Sequence, residues 1–539
     1  MEAVRTQPPL CELTGRRAGE LALDDGTAQR TWGELEDRTR AIAYGLTDLV
    51  PGTGSHVALV AGNRVEFVEL ALGCLRAGLV YTPLKSSWTP AEIATVLSDA
   101  STSLVVTDTD AARQAGRDAG LPILDLDQGF DAWVARQPDG PLPYELAGRK
   151  MTYTSGTTGR PKGVVSSFLG QRPFADSFRA SARMAELTGL PGNGAHLFVS
   201  HLFHGAPLTF GLGALARGAA LRIVPRWEPE TVLALLADGV TSTCMVPTMF
   251  RQLLALPLDA RSKFDAPELV TVLHGGEACP RPVKQAMLAW WGPRLTEYYG
   301  FSEGGMTIAT SEEWMQRPGT VGRPVNGQRI VVVGETGDEV GTGVEGTIYF
   351  VTPDGVTFSY LNDEAKTAAA HRGAAFTVGD VGQVDAHGYL FITGRQSDVI
   401  VSSGVNIYPA EIESALGAID GMTDLAIVGA PDELRGEQVA AVIVAPHPQD
   451  AAAVAARIAG VAAKTLAGYK RPRLFVHAAR LPRDPTGKLL RAALRDSVAR
   501  LCSPEGDGAL TRIHLDEAGP PPASIAGKAI ATTGKGQNK

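Results

Sequence analysis

Cysteine is scarce and scattered in this sequence. The 539 residues contain five cysteines, and no two of them form a CxxC pair. Disulfide frameworks and structural zinc sites both need cysteines at short, regular spacings. The sequence therefore predicts neither kind of site, and we expect a protein of the cytoplasm.

Long apolar runs and a basic excess are missing as well. No stretch reaches the roughly 18 uninterrupted apolar residues of a membrane helix, and the first residues lack the apolar segment of a secretion signal. Fifty basic residues stand against 58 acidic ones, which gives a net charge of −8. We therefore expect no membrane span, and neither nucleic acid nor an anionic membrane as the main partner.

The chain does contain enough apolar residues, 44% of the total, for a large globular core. From about residue 58 to 301, apolar strand-like runs alternate with helix-length stretches, a pattern typical of βαβ units on mostly parallel sheets. From residue 327 the pattern changes to short strands with glycine-rich turns, which predicts a small antiparallel β-subdomain. A compact α+β stretch follows Arg395.

These changes of pattern divide the chain into domains. We predict an α/β fold with a large N-terminal domain at 1–396, whose β-subdomain covers about 327–396. A small α+β C-terminal domain is predicted at 397–503. Glycine, proline and alanine dominate 504–539, so a disordered tail is predicted there.

The strongest chemical signal is the segment TSGTTGRPKG, which lies between two strand-like runs. Glycines let the backbone turn its N–H groups toward an anion, hydroxyls add donors, and a lysine adds positive charge. Only 12 of the 50 basic residues are lysine, which gives this lysine additional weight. The segment predicts a phosphate-binding loop, although not a Walker loop, which needs G-x-x-x-x-G-K-[ST]. Its residues are Thr154, Ser155, Gly156, Thr157, Thr158, Gly159 and Lys162.

This loop resembles the phosphate loop of the adenylate-forming superfamily, which includes acyl-CoA synthetases, adenylation domains of peptide synthetases, and luciferases. The resemblance extends over about residues 20–495, because further motifs occur in the family's order. They are Phe203-His204, His274-Gly275-Gly276-Glu277, Tyr298-Tyr299-Gly300-Phe301-Ser302-Glu303, Thr377-Val378-Gly379-Asp380, Gly394-Arg395 and Pro485-Thr486-Gly487-Lys488.

The resemblance implies how ATP is bound. The strand end Gly275, Gly276 and Glu277 is expected to contact adenine, and Tyr299 to stack on it. Ser302 is expected to touch phosphate, and Asp380 to accept both ribose hydroxyls.

The resemblance also implies the catalytic groups. Glu303 is expected to hold Mg²⁺, for which a carboxylate is a suitable ligand. Lys488 is expected to meet the charge that develops on the substrate carboxylate and α-phosphate. His204 is expected to act beside the acyl pocket. Arg395 is expected to bind cofactor, and with Gly394 it begins the hinge motif before a mobile C-terminal domain.

In this family the acid first becomes an acyl-adenylate, and a thiol then displaces AMP. The C-terminal domain changes orientation between the two steps. Gly404 is expected to line the tunnel of the thiol, which we take to be coenzyme A. Two residues depart from the pattern: Ser397 stands where the hinge usually has Asp or Lys, and Ser403 stands where relatives have the first glycine of a pair.

Three alternatives remain open from the sequence. One is an enzyme that only adenylates its acid and passes the acyl group to a carrier protein. Another is a serine hydrolase, because Gly300–Gly304 matches G-x-S-x-G around Ser302 and His387 follows. The third is a non-catalytic adenylate sensor, which the presence of Lys488 and Glu303 disfavours.

Two other motifs are read as structural. Gly341–Gly346 matches G-x-G-x-x-G, but a strand-like run follows it where a dinucleotide fingerprint needs a helix, so a hairpin turn is predicted. His201 and His204 form HxxH without a third ligand, so no metal site is predicted there.

The partner is expected to be a small-molecule carboxylic acid. The segments assigned to the acyl pocket are rich in small and apolar residues and contain no Asp to pair an amino group. We therefore predict a large, apolar acid, with fatty and polycyclic acids as the candidates. The oligomeric state, including a homodimer, stays open.

Overall fold

The computed structural model describes residues 6–140, 142, 146–155, 161–166, 172–353, 358–417, 419–483, 489–502 and 510–513; for Ser155 and Pro161 it describes the backbone only. The chain divides into two compact units. The first comprises the described residues of Met1–Val399 and Pro482–Ala492, and the second those of Ile400–Leu481 and Ala493–Lys539.

The helices follow the predicted alternation with strands. In chain order they are α1 (Leu10–Thr14), α2 (Trp32–Leu49), α3 (Val65–Arg76), α4 (Pro90–Asp99), α5 (Asp110–Asp118), α6 (Phe130–Ala135), α7 (Phe174–Leu187), α8 (Gly205–Ala216), α9 (Pro229–Leu236), α10 (Pro247–Leu254), α11 (Leu258–Ser262), α12 (Arg281–Trp291), α13 (Ser311–Gln316), α14 (Glu364–Ala370), α15 (Pro409–Leu416), α16 (Ala451–Thr465) and α17 (Arg491–Leu501).

The strands are short, most of them three to six residues long. They are β1 (Leu21–Asp24), β2 (Gln29–Thr31), β3 (His56–Val60), β4 (Val80–Pro83), β5 (Thr102–Thr107), β6 (Ile123–Asp125), β7 (Arg149–Lys150), β8 (Thr152–Ser155), β9 (Pro161–Ser166), β10 (Ala195–Phe198), β11 (Ala220–Ile223), β12 (Val240–Met245), β13 (Thr271–His274), β14 (Leu295–Gly300), β15 (Met306–Ala309), β16 (Arg323–Pro324), β17 (Arg329–Val333), β18 (Gly346–Val351), β19 (Phe358–Tyr360), β20 (His371–Arg372), β21 (Ala375–Phe376), β22 (Asp380–Val384), β23 (Leu390–Arg395), β24 (Ile400–Ser402), β25 (Val405–Ile407), β26 (Asp424–Asp432), β27 (Gly436–Val444), β28 (Leu474–Ala478) and β29 (Leu510–Ile513).

Two sheets of the first unit carry the predicted parallel pattern. The larger has the order β16-β15-β14-β13-β12-β10-β11-β1-β2, and its neighbours from β14 through β1 all pair in parallel. The second, β6-β5-β3-β4-β7, is parallel throughout. Strands such as β10 and β12 are buried along their whole length because helices cover both faces. The predicted α/β class is confirmed.

Two smaller antiparallel sheets complete the first unit. One has the order β20-β21-β18-β22-β23, with β17 paired to β18. Gly341–Gly346 leads directly into β18, so this motif ends a turn and opens no helix, as predicted. The other sheet, β19-β9-β8, holds both ends of the predicted phosphate loop, because that loop joins the antiparallel strands β8 and β9.

The second unit is a mixed sheet, β25-β24-β27-β28-β29 with β26 paired to β27, packed against α15 and α16. Its last strand, β29, lies inside the segment 504–539, for which composition predicted a disordered tail. Leu510–Ile513 pairs antiparallel with β28, and Ile513 packs against the core of the unit. The glycine- and proline-rich composition of the segment gave no indication of this strand, because its pairing depends on the exposed edge of β28.

None of the helices in the described part of the chain is both long and apolar enough to cross a membrane.

Candidate active site

The predicted phosphate loop begins and ends on paired strands. Thr154 at the end of β8 lies opposite Lys162 at the start of β9. The Lys162 ammonium lies 6.0 Å from the centroid of the Tyr360 ring. Gly156, Thr157, Thr158 and Gly159 lie outside the described residues, as does the side chain of Ser155. The antiparallel pair thus holds the two ends of the loop together beside β19.

The predicted adenine strand end follows β13. A Cβ on Gly275 would lie 2.2 Å from the Tyr298 carbonyl oxygen, so only glycine fits there. The carboxylate of Glu277 accepts two hydrogen bonds from Thr248, one from the backbone N–H and one from the hydroxyl, each at 2.6 Å. Burial raises the pKa of Glu277. Glu277 therefore also fixes the first turn of α10.

The predicted adenine and ribose residues lie together. Asp380 and Arg395 are opposite each other in the β22–β23 ladder, and Arg395 Nε donates to Asp380 Oδ1 at 2.6 Å. The Tyr299 hydroxyl donates to Asp380 Oδ2 at 2.5 Å. Burial, followed by the charge of Asp380, raises the pKa of Tyr299. A carboxylate has about four acceptor positions, so Asp380 keeps capacity for ribose hydroxyls.

Glu303 is the predicted Mg²⁺ ligand. It follows β14, and its Oε1 accepts a hydrogen bond of 2.9 Å from the Tyr360 hydroxyl. Burial raises the pKa of Glu303, so the surrounding protein leaves its negative charge poorly compensated. A divalent cation would supply that compensation, and a carboxylate oxygen is a ligand that Mg²⁺ accepts. The residues present therefore fit the ion.

His204 immediately precedes α8, without a side-chain hydrogen bond that caps the helix, and it lies on the cavity wall. Burial lowers its pKa to about 3, with smaller contributions from His201 and Lys85. Its ring centroid is 4.2 Å from that of Phe203. An imidazole that stays neutral at physiological pH is suited to shaping an acyl pocket more than to donating protons.

One cavity of about 1740 Å³ lies within the first unit and adjoins part of this site. Of the predicted residues, its walls include Thr154, His204, Gly276, Glu277, Ser302 and Glu303. Lys488 lies outside the described residues, but the residues on either side of its loop belong to the first unit. Leu490 lines the cavity, and Arg483 Nη1 lies 3.4 Å from Glu277 Oε2.

Gly404 lies in the second unit, at the tip of the β24–β25 hairpin. Ser403 and Gly404 have φ angles of 51° and 77°, so both adopt the left-handed conformation that a tight two-residue turn of this kind requires. Ser403 thus adopts a backbone conformation that favours glycine, the residue of relatives at this position. A Cβ on Gly404 would meet nothing within 4 Å.

The hydrolase alternative fails on local geometry. Ser302 lies in the turn between β14 and the antiparallel strand β15, whereas a nucleophile elbow joins a strand to a helix. His387 is an exposed residue of the β22–β23 turn. Within the described residues there is also no group of three His, Cys, Asp or Glu side chains that could hold a metal ion.

Two residues of this site, Tyr360 and Thr248, have no role in the sequence motifs. Tyr360 is separated from Glu303 by 57 positions, and Thr248 from Glu277 by 29. The alternating Phe358-Ser359-Tyr360 pattern indicates one face of a strand, but it does not reveal which side chain that face meets.

Comparison with known proteins decides the family. The model of the AMP-binding enzyme family matches residues 13–361, and that of the AMP-binding enzyme C-terminal domain matches residues 411–488. The chain belongs to the AMP-binding enzyme family. As an AMP-binding enzyme it is an adenylate-forming ligase, the class that the motifs predicted, and the sensor alternative is rejected.

Relatives of this AMP-binding enzyme match along most of its length. The fatty acid–[acyl-carrier-protein] ligase ScoC of Streptomyces coeruleorubidus is 29% identical, over 86% of this chain and 91% of its own. A Rhodococcus jostii enzyme named 3-[(3aS,4S,7aS)-7a-methyl-1,5-dioxo-octahydro-1H-inden-4-yl]propanoyl:CoA ligase is 29% identical, over 92% and 99%. The ATP-bound crystal structure of MatB from Rhodopseudomonas palustris superposes with a TM-score of 0.81 at 26% identity, covering 92% of this chain and 99% of MatB.

The contacts of Asp380 lead to a first prediction. The Asp380 carboxylate holds Tyr299 and Arg395 and is proposed to accept hydrogen bonds from the ribose hydroxyls. Asp380→Asn removes its negative charge, so the KM for ATP should rise about tenfold or more. The KM for the acid should change little. Steady-state kinetics with each substrate varied in turn measures both constants.

Asp385 is the matched control, because it lies in the turn of the same hairpin and accepts the backbone N–H groups of His387 and Tyr389. Asp385→Asn should leave the KM for ATP unchanged. Equal increases in both KM values for Asp380→Asn would contradict the ribose assignment.

Proposed function

We propose that this enzyme activates a large, predominantly apolar carboxylic acid, fatty or polycyclic, with ATP and then transfers the acyl group to coenzyme A. The observation that carries the proposal is the continuous cavity in which the predicted nucleotide residues adjoin the residues of α8 and α10. At about 1740 Å³ it exceeds the roughly 300–1,000 Å³ typical of a single small-ligand pocket. It therefore has room for a nucleotide and a bulky acid together.

The first step forms one bond and breaks another. A carboxylate oxygen of the acid attacks the α-phosphorus of ATP, the bond to the β-phosphate oxygen breaks, and pyrophosphate leaves. In the second step the sulfur of the thiol attacks the acyl carbon, the thiol proton is lost, and AMP departs. The residues of this chain have to align the two reactants and compensate charge, and Glu303 with Mg²⁺, Thr154 and Lys488 are the groups proposed for it.

The carboxylates of the cavity support the exclusion of amino acids. In the described part of its wall the acidic residues are Glu92, Glu277 and Glu303. Glu92 accepts hydrogen bonds from Thr89, Glu277 from Thr248, and Glu303 from Tyr360. Glu303 is moreover the proposed Mg²⁺ ligand, and Glu277 faces the Arg483 guanidinium at 3.4 Å. None of the three is therefore proposed to pair a substrate ammonium, whose burial without a partner costs several kcal/mol.

The acceptor of the acyl group is proposed to be coenzyme A, with a carrier protein as the second candidate. The R. jostii relative is named a CoA ligase, which favours coenzyme A. The S. coeruleorubidus relative is named a ligase of an acyl carrier protein, which supports a carrier protein as the second candidate.

The test is pyrophosphate release measured over a panel of acids, with and without coenzyme A. We expect release with long-chain or polycyclic acids, slow release with acetate and amino acids, and formation of the corresponding thioester when coenzyme A is added. Preferential turnover of acetate or an amino acid would contradict the acid class. Acyl-AMP that accumulates and does not react with coenzyme A would favour the carrier protein.

A further inference from the structure

Lys150 is a lysine in the cavity wall to which the sequence motifs assign no role. It lies on β7, and its ammonium donates to the carbonyl oxygen of Gly205 at 2.7 Å and to the hydroxyl of Thr209 at 2.6 Å. Both acceptors are neutral. No carboxylate oxygen of the described residues lies within the 4.0 Å of an ion pair with this ammonium. Burial lowers the pKa of Lys150 to about 8, so the site leaves its charge uncompensated.

The position of this ammonium relates it to the acyl part of the cavity. Gly205, whose carbonyl it holds, is the first residue of α8 and follows His204. A Cβ placed on Gly205 would lie 3.8 Å from Ser302 Oγ, which adjoins Glu303. Gly205 therefore lies between Lys150, which contacts its carbonyl oxygen, and Ser302 of the predicted reaction centre.

The cavity that Lys150 lines has apolar and cationic groups on its wall as well as polar ones. Leu72, Tyr81, Phe174 and Phe178 line the same cavity, and so does Arg149, the residue before Lys150. An ammonium has three N–H donors in a compact group, and two of them are accounted for by Gly205 and Thr209. The third donor is suited to one oxygen atom of a ligand in this cavity.

We propose that Lys150 binds an oxygen acceptor on the acyl part of the substrate, a ketone or a second carboxylate remote from the carboxyl group that is activated. This inference rests on the proposed acid-activating function and narrows its substrate class. The acid is then apolar over most of its surface and carries one acceptor at a fixed distance from the reacting carboxylate. Lys150 is a specificity-determining residue in this account, because an acid without the acceptor leaves the ammonium without its ligand.

Matched acids test the proposal. Three types are compared: a medium-chain acid, the same acid with one methylene replaced by a ketone at successive positions, and the dicarboxylic acid of equal length. The readout is kcat/KM for pyrophosphate release. In the unmodified enzyme at least one ketone position or the dicarboxylic acid should exceed the plain acid by about 10- to 100-fold. The two arms distinguish a ketone from a carboxylate.

Lys150→Met keeps the length of the side chain and removes the charge. It should abolish this preference, so that kcat/KM for the acid with the acceptor falls to about the value for the plain acid in the same variant. Thr209→Val is the control, because it removes one protein acceptor of Lys150 and leaves the ammonium in place, so the preference should persist.

The outcomes separate this inference from the proposed function. Pyrophosphate release with all acids but no preference in the unmodified enzyme overturns the role of Lys150 alone, even if the variant fails to fold. An equal loss for every acid in Lys150→Met shows that the lysine only holds Gly205 and Thr209, which also overturns it. No release with any acid contradicts the proposed function itself.

Discussion

Replacing Lys488 by alanine is expected to slow acid-dependent pyrophosphate release by about 10²–10³-fold, the effect of losing one group that stabilises a developing oxyanion. The loss should appear in kcat, because the contact is proposed to form mainly as charge develops on the carboxylate and α-phosphate. The described residues beside its loop support the assignment: Leu490 lines the cavity and Arg483 lies beside Glu277.

The second half-reaction provides the internal control. Supplied acyl-AMP should react with coenzyme A in Lys488→Ala at close to the unmodified rate, because Lys488 is assigned to the adenylation step alone. Lys464→Ala, which changes an exposed lysine in the last turn of α16, should affect neither step. A comparable loss in both half-reactions for Lys488→Ala would refute the assignment to adenylation alone.

Glu303→Gln should reduce pyrophosphate release by about 10²-fold. Glutamine has nearly the same shape and still accepts the hydrogen bond from Tyr360, so the packing is preserved. It lacks the negative charge that suits a magnesium ligand. The variant should need a higher magnesium concentration for half-maximal rate at fixed ATP, and should gain less thermal stability from magnesium and ATP together.

Tyr360→Phe separates charge from hydrogen bonding. It removes the hydroxyl that donates to Glu303 Oε1 and leaves the carboxylate intact. Its effect should be a few-fold, in line with about 1 kcal/mol for one hydrogen bond. If Tyr360→Phe were as impaired as Glu303→Gln, or if the magnesium dependence of Glu303→Gln were unchanged, Glu303 would not be the metal ligand.

Local sequence was sufficient to predict the class of fold, and it supplied the residues proposed for the candidate site. Apolar runs such as those of β10 and β12 predict buried strands, and helix-length spacers between them imply parallel pairing, which the larger sheet has. The motifs fall at strand ends for the same reason: Gly275 follows β13, and Glu303 follows β14. Ligands of such sheets bind beyond the carboxyl ends of the strands.

Side-chain contacts between residues far apart in the sequence could not be predicted from local patterns. Nothing in the Phe358-Ser359-Tyr360 strand signals that its tyrosine meets Glu303, and nothing in the Asp380 motif signals that both carboxylate oxygens are engaged by Tyr299 and Arg395. These contacts depend on strand register and on the approach of separate sheets. The pairing of Leu510–Ile513 with β28 is a tertiary effect of the same kind, which overrides the composition of its segment.

The central claim is that ATP and a carboxylic acid form an acyl-adenylate, and isotope exchange tests it most directly. Labelled pyrophosphate is incubated with the enzyme, ATP, magnesium and a long-chain or polycyclic acid, without coenzyme A. We expect label to enter ATP only when the acid is present, because the first step is reversible. Exchange that is absent with every acid of the panel, or that proceeds equally without acid, would contradict the claim.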